Sequence, residues 1–465
     1  MALRFFNTLT RTVEEFRSLE EGYVRMYTCG PTVYNFAHIG NYRAYTFEDL
    51  LRRYLKFKGY RVTQVMNLTD IDDKTIKGCM EKGLTLNEYT APYKKAFFDD
   101  IDALGIERAE HYPEATKHVE EMVALVKKLI ANGLAYEIGG NYYFPISKFP
   151  EYGKLSHLDL SSLKAGARVA SDEYEKESVS DFALWKAWDE KDGDVFWETE
   201  LGKGRPGWHL ECSVMSMKYL GETFDIHTGG VDNMFPHHEN EIAQSEGANG
   251  KKFVNYWLHC EHLIVDGRKM SKSLNNYYTL SDILEKGNPA VAVRFVLIAT
   301  HYRQQLNFTF EGLVAAKNGL ERYNDFYNNL RDYGGGESSG EAGAIIKKVL
   351  AGFEEALDDD LNISAALGEV FDFIRDINRL KAENKLSIEE RDRALAALQR
   401  IDSVLNFLIL KGTGIDSHIE ALISERAEAK KRRDFAGADK IRSRLLEMGI
   451  ILEDTPSGTK WKRKM

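Results

Sequence analysis

Residues 23–66 read YVRMYTCGPTVYNFAHIGNYRAYTFEDLLRRYLKFKGYRVTQVM, and their order decides the fold. Tyr23–Thr28 is an alternating, β-prone run, and Cys29-Gly30-Pro31 breaks it. After His38-Ile39-Gly40, Phe47, Leu50, Leu51 and Tyr54 recur at helical spacing. A second strand is expected over residues 60–66, stopped by Asn67. Strand, helix and strand in this order specify a parallel βαβ unit, because the helical crossover returns the chain to start the second strand in the same direction. Ligands of such sheets bind outside the carboxyl ends of the strands. Cys29 and the segment 67–73 fall at those ends.

The pattern resumes downstream. Phe224-Asp225-Ile226-His227 is strand-like and runs into Thr228-Gly229-Gly230; a helix is expected from about Pro236 and another strand over residues 253–259. Between the two halves lies a stretch with a helix near 114–132, short aromatic strands near 134–145 and then a polar run rich in Glu, Ser and Asp. Beyond about 290 the strands are expected to stop. Helical periodicity continues to about 410, interrupted at Gly334–Gly340 by what composition reads as a flexible linker. A last helical segment near 416–447 precedes a short tail containing Gly and Pro, and there is no internal repeat. The expected class is α/β: a Rossmann-like parallel-sheet nucleotide-binding domain in two halves (1–110 and 206–300), split by a connective insertion (111–205). An α-helical bundle (301–412) and a small C-terminal module (413–465) follow.

Composition narrows the class. The chain has 465 residues, 43% hydrophobic and 29% charged, which fits several globular domains rather than a disordered chain. No apolar run of about 18 residues suggests a membrane span, and residues 1–10 lack an export or transit signal, so a cytoplasmic location is expected. Four cysteines (Cys29, Cys79, Cys212, Cys260) are too few for a disulfide scaffold and read as metal ligands, thiols of function or core residues. A net charge of −10 argues against indiscriminate nucleic-acid binding, yet residues 426–465 hold 12 Lys/Arg against 6 Asp/Glu, a local basic surface.

Two constellations carry chemistry. His38 stands at a helix start, where unpaired backbone N–H groups suit phosphate; Gly40 lets a nucleotide approach closely, and Lys269 and Lys272, in Lys269-Met270-Ser271-Lys272-Ser273, supply mobile positive charge. The second set is Cys29, Cys212, a histidine at 237 or 238, and Glu241. His237 and Glu241 are spaced i, i+4 and His238 lies three residues before Glu241, so either histidine can share a helix face with the carboxylate. Thiolate, imidazole and carboxylate are zinc ligands, and the set collects at the expected ligand edge of the sheet.

These motifs resemble a known family. HIGN at 38–41 and KMSKS at 269–273 look like the two signatures of class I aminoacyl-tRNA synthetases, and NLTDIDDK (67–74), RPGWHLEC (205–212) and FDIHTGGVDNMFPHHENE (224–241) resemble the cysteinyl-tRNA synthetase branch, essentially from end to end. The resemblance implies one Zn2+ held by Cys29, Cys212, His237 and Glu241. Thr69 and Trp208 match positions lining the cysteine pocket. His38, Asp232, Lys269 and Lys272 match positions serving ATP, which binds with Mg2+. Near the C-terminus, Asp439, Arg442 and Asp454 match positions that read the anticodon of tRNA, and Phe435 stands at an aromatic position that could stack on a base. Two departures stand out: Asn41 replaces the second histidine of the usual HIGH, and Lys430 replaces an arginine. An amide still donates to phosphate but cannot become charged.

The implied reaction uses L-cysteine, ATP and tRNA-Cys, in a chain expected to act as a monomer. Cysteine sulfur binds zinc as thiolate, its carboxylate attacks the α-phosphate of ATP, and the resulting adenylate acylates the tRNA 3′ end. Packing alone rejects a near-isostere such as serine only about 10–200-fold, so selection by ligand identity would remove the need for an editing domain. Two competing expectations remain: a ligase that passes cysteine to an amino sugar, as in mycothiol synthesis, and a non-catalytic tRNA-binding relative.

Overall fold

The computed structural model describes residues 2–157, 181–274, 276–409, 415–447, 450–455 and 458–463. Most of the insertion's polar stretch (158–180) and the expected border at 412/413 lie outside the described residues.

Four parallel strands form the centre. β1 (Tyr23–Thr28) leads through α1 (Ile39–Phe57) to β2 (Arg61–Met66). After the insertion come α2 (Trp208–Leu220), β3 (Phe224–Gly230), α3 (Glu239–Asn249) and β4 (Val254–Cys260). The spatial order is β2-β1-β3-β4, all parallel. The chain therefore leaves β1 in one direction for β2 and returns on its other side as β3, so the strand order reverses between β1 and β3. A crevice opens at such a reversal, because the helices that follow the two strands lie on opposite faces. Here α1 packs on one face, with Val24, Met26 and Ile226, and α3 on the other, with Tyr27, Phe224 and Trp257.

The first face shares one continuous core with the helices Phe310–Arg331, Ala342–Asp358, Ile363–Ala382 and Ile388–Leu405. The second face shares a core with the insertion. A third, small core of Leu422, Ile423, Leu445, Ile450 and Leu452 holds the C-terminal unit together.

Some expectations change. The insertion is more than a helix with two strands: Tyr136–Ile138, Asn141–Phe144, Phe182–Ala187, Gly202–Pro206 and Trp197–Thr199 form, in that spatial order, a five-stranded antiparallel sheet. Strands also continue beyond 290. Leu306–Phe308 pairs in parallel with Leu263–Val265, and the tail contains the hairpin Ile450–Thr455/Gly458–Arg463. Gly334–Gly340 is tied down, since the N–H groups of Gly336, Glu337 and Ser339 donate to the carbonyls of Leu386, Asn384 and Lys385.

Two buried guanidinium groups fasten α1 to the helical region. Arg43 donates from Nη2 to the Thr300 and His301 carbonyls, each at 2.9 Å, just past the helix Ala290–Ala299. Arg294 pairs with Asp49 of α1 at 2.6 Å and donates from Nε to the Leu405 carbonyl at 2.9 Å. Removing one partner of a buried pair strands the other charge. Arg53 also reaches Asp49, at 2.8 Å, and would remain. Arg294→Ala is therefore expected to destabilise the protein by about 3 kcal/mol, the lower end for a broken buried pair. Urea unfolding checks this, and a loss below about 1 kcal/mol, the scale of an exposed pair, would contradict it.

Candidate active site at the sheet reversal

The site is built on close backbone approaches. A Cβ at Gly30 would lie 1.8 Å from the Asn67 carbonyl oxygen, so only glycine lets the end of β1 pass the end of β2. Asn67 then uses both ends of its amide: Oδ1 accepts from Gly30 N–H at 2.9 Å, and Nδ2 donates to Thr69 Oγ1 at 3.1 Å. Thr69 in turn donates to Glu211 Oε2 at 2.7 Å. Burial pushes the Glu211 carboxyl well above its usual range. Gly30, Asn67 and Thr69 wall a cavity of about 510 Å³ at the reversal.

His38 is the N-cap of α1. Its Nδ1 accepts from Asn41 N–H at 3.3 Å, while Asn41 Oδ1 accepts from His38 N–H at 3.0 Å, a reciprocal capping box. Burial lowers the His38 pKa, so the ring is neutral at pH 7. With Nδ1 accepting, the proton sits on Nε2, which is left as a donor. The amide at 41 thus does two jobs: its oxygen closes the cap and its NH2 remains to donate into the cavity, which both residues line. Gly40 has no room for a side chain, because a Cβ would come within 2.9 Å of the His38 ring and 3.3 Å of Met270 Cε. HIGN and the Lys269–Ser273 loop therefore touch. Asn276 clamps that loop: Nδ2 donates to the Lys269 carbonyl at 3.2 Å, and Oδ1 accepts from Ser271 N–H at 2.8 Å.

On the other side of the cavity, Cys29 ends β1 and Cys212 lies on α2. After β3, the helical turns Val231–Asn233 and Met234–His238, broken by extended Phe235 (φ −137°, ψ 132°), lead into α3. This turn brings both His237 and His238 inward. The sulfurs of Cys29 and Cys212 are 4.0 Å apart, and His237 Nε2 is 3.2 Å from Glu241 Oε1. One donor atom from each of Cys29, Cys212, His237 and Glu241 lies within 4.8 Å of all the others. Cys29, His227, His238 and Glu241 satisfy the same condition. The two sets differ in access: Cys29, Cys212 and His237 line the cavity, whereas His227 and His238 do not. His238 is also occupied on its other side, with Nδ1 at 2.8 Å from His259 Nε2, which leads to Thr8.

The donor set fits a divalent metal of the zinc kind. Glu241 Oε1 is buried with no hydrogen-bond partner, so a buried polar atom is left for a metal to satisfy. Two sulfurs bound at about 2.3 Å on a tetrahedral ion stand about 3.8 Å apart, close to the spacing seen. Burial holds His237 and His227 neutral, with pKa values of about 3, as metal ligands require. It also pushes the thiols of Cys29 and Cys212 up and Glu241 to about 8.

Sequence reasoning placed Trp208 at this site but missed His209, Glu211 and His227. Trp208, 45% exposed, stacks on His237 (ring centroids 4.4 Å apart, 18° between planes), and His209 Nδ1 meets His237 Nδ1 at 2.9 Å. His227 Nε2 meets the second oxygen of Glu241 at 2.9 Å. His209, Glu211 and His227 all lie inside quoted motifs, but only pairing of distant strands shows that they converge. Among the expected site residues, His38, Asn41, Thr69 and Trp208 share the cavity with the two cysteines and His237. Asp232 and Lys269 lie outside the lining; Asp232 is exposed beyond β3, 3.5 Å from His262 Nε2. Phe435, Asp439 and Arg442 are exposed on the helix Phe435–Glu447 of the C-terminal unit. The side chains of Lys272 and Asp454 lie outside the described residues.

Comparison with known proteins agrees. Residues 15–318 match the family described as tRNA synthetases class I (C) catalytic domain, 352–409 the DALR domain, and 413–461 the cysteinyl-tRNA ligase anticodon binding domain. Proteins named cysteine–tRNA ligase are similar over almost their whole length. That of Protochlamydia amoebophila is 50% identical over 99% of this chain and 98% of its own, and that of Brachyspira hyodysenteriae 52% identical over 99% of both. The fold is similar to the Mycobacterium tuberculosis methionyl-tRNA synthetase solved with methionyl-adenylate (TM-score 0.60, 15% identity, 83% of this chain and 90% of that one). It is also similar to a putative arginyl-tRNA synthetase from Campylobacter jejuni (TM-score 0.57, 10% identity, 86% and 94%). With motifs, sheet topology and full-length similarity in agreement, the chain belongs to the cysteine–tRNA ligase family of class I tRNA synthetases.

Proposed function

We propose that the chain activates L-cysteine with ATP and passes it to the 3′ end of tRNA-Cys, acting as a cytoplasmic monomer. The observation that carries this reading is the convergence of two thiols, an imidazole and a carboxylate, with the thiols and the imidazole on the same cavity as the His38 helix cap. Cys29, Cys212, His237 and Glu241 are the residues to hold zinc. Zinc bound there supplies a Lewis acid that takes sulfur as thiolate far more readily than hydroxyl oxygen.

The chain's own residues perform the rest. Trp208 and His209 fix the ring of His237, and His227 fixes Glu241. Thr69, held by Asn67 and Glu211, forms the wall against the amino acid. His38 Nε2–H, the Asn41 amide and the open N-terminus of α1 receive the phosphates of MgATP. The cysteine carboxylate attacks the α-phosphate, and pyrophosphate leaves as the aminoacyl-adenylate forms. Negative charge develops on the phosphorus oxygens in this step, and Lys269 and Lys272 stabilise it. Gly40 and Asn276 hold their loop against α1. Asp232 serves ATP from the helical turn after β3. Asp439, Arg442 and Asp454 meet the anticodon, and the exposed Phe435 ring is available to stack on a base. Residues 1–110 and 206–300 form the catalytic domain, 111–205 the insertion, 301–412 the bundle and 413–465 the anticodon module. The basic C-terminal unit favours tRNA over an amino sugar as acceptor.

Cysteine-dependent ATP–pyrophosphate exchange and charging of tRNA-Cys test the reading together. The wild type is expected to exchange with cysteine and not serine, and Cys212→Ser to lose both zinc and that preference. Normal zinc content and charging in Cys212→Ser would refute the ligand set. Zinc loading is also expected to release protons. In the metal-free protein at pH 7, the raised thiols of Cys29 and Cys212 and the Glu241 carboxyl (about 8) are protonated, and each must ionise to bind. Titration in weak buffer should release about two to three protons per zinc, and zinc affinity should rise more than about tenfold per pH unit between pH 6 and 8. Release of no protons, with affinity independent of pH, would contradict the assignment.

A further inference from the structure

We propose that the half-exposed ring of Phe36 is the stacking platform for the 3′-terminal nucleotide of the acceptor RNA, with Lys74 beside it for the terminal phosphates. The proposal rests on the tRNA-charging reading above. Phe36 is 50% exposed at the wall of the active-site cavity, which Tyr34 and Lys74 also line. An aromatic ring left half in water where the chain could have turned it inward needs a reason, and here the loop that carries it is rigid. Val33 N–H donates to the Thr69 carbonyl at 3.0 Å, Thr69 N–H to the Pro31 carbonyl at 3.1 Å, and Tyr277 Oη to the Phe36 carbonyl at 3.4 Å. The ring is backed as well. It meets Tyr93 edge-on at 5.1 Å, Tyr93 meets Tyr89 at 5.5 Å, and Tyr89 Oη donates to the Tyr34 carbonyl at 3.1 Å. This support fixes the ring from behind while half of its surface stays open to solvent.

The charges beside it suit a phosphate. Lys74 Nζ lies 4.9 Å over the Tyr34 ring and 3.5 Å from its hydroxyl. The two neighbouring carboxylates are engaged elsewhere: Asp72 Oδ1 accepts from Thr75 N–H at 2.7 Å, and Asp73 pairs with Lys186 at 3.2 Å and with Arg205. A ring with a mobile cation next to it is the usual recipe for holding single-stranded nucleic acid, because every base has a π-face and every linkage a phosphate. The acceptor must place a ribose hydroxyl in this same cavity, so its last base must rest on a nearby surface. Stacking on the adenine of ATP is the competing use of the ring.

Phe36→Ala, Phe36→Tyr and the wild type separate these uses. Loss of one base stack lowers affinity about five- to hundredfold. Phe36→Ala should therefore lower kcat/KM for charging tRNA-Cys by about tenfold or more, leave cysteine-dependent exchange within about twofold, and be rescued by Phe36→Tyr. Wild type should bind full-length tRNA-Cys about tenfold tighter than the same RNA lacking its terminal adenosine, and Phe36→Ala should lose that preference. Lys74→Ala should weaken tRNA binding and flatten its salt dependence. Exchange falling in parallel with charging would assign the ring to the adenylate step, and an undiminished preference for the full-length RNA in Phe36→Ala would also overturn the proposal. A wild type that fails to exchange with cysteine would refute the function instead, and the comparison of the two RNAs would still test the stack.

Discussion

Parallel pairing of β1 with β3 is the constraint on which the site depends. The two segments are about two hundred residues apart, and their register sets Met26 beside Ile226 and Thr28 beside Thr228. Cys29 N–H then donates to the Thr228 carbonyl at 3.3 Å, one step past the last paired residue. A slip of one residue would turn each side chain of β1 to the opposite face. Cys29 would then leave the core that contains Cys212, and Val24 and Met26 would leave the core beneath α1. Metal donors and nucleotide cap face one cavity because their helices follow adjacent strands to opposite sides of the sheet.

Burial is the second determinant, and it acts alike on very different groups. Desolvation penalises the charged form, so it keeps histidines neutral and carboxyls and thiols protonated. His227, His237 and His259 are neutral for this reason, and Glu48, beneath the site with one oxygen bonded to Thr228, is pushed to about 8. The buried metal-ligand side of the site therefore has little fixed charge of its own. Charge brought by a metal or a phosphate would be weakly screened there, so small differences between sulfur and oxygen would be felt strongly. The capping box at His38 follows the same economy, presenting donors without a net charge.

Much of this was legible in the sequence. The βαβ order needed only alternation, a breaker and helical spacing, all local properties. What escaped depended on distant partners. Phe182–Ala187 is buried at nearly every position, so it shows no alternation, and Gly202–Pro206 carries residues that usually mark a loop. Leu306–Phe308 is three residues long and exists through its pairing with Leu263–Val265. The Gly-rich segment at 334–340 reads as flexible because composition cannot reveal the carbonyls at 384–386 that hold it. At the site, helical spacing could not separate His237 from His238, since the turn before α3 brings both inward. Exposure to the cavity separates them, and that depends on where α2 places Cys212.

The central claim is that donors from Cys29, Cys212 and His237 face the cavity, so that a metal held there meets the sulfur of the substrate. Cobalt(II) in place of zinc makes this visible, because each bound thiolate adds sulfur-to-cobalt charge-transfer absorption in the near ultraviolet. The account predicts that L-cysteine raises this absorption by about half again over the two protein thiolates, and that L-serine leaves it unchanged. A spectrum indifferent to cysteine at saturating concentration would contradict it.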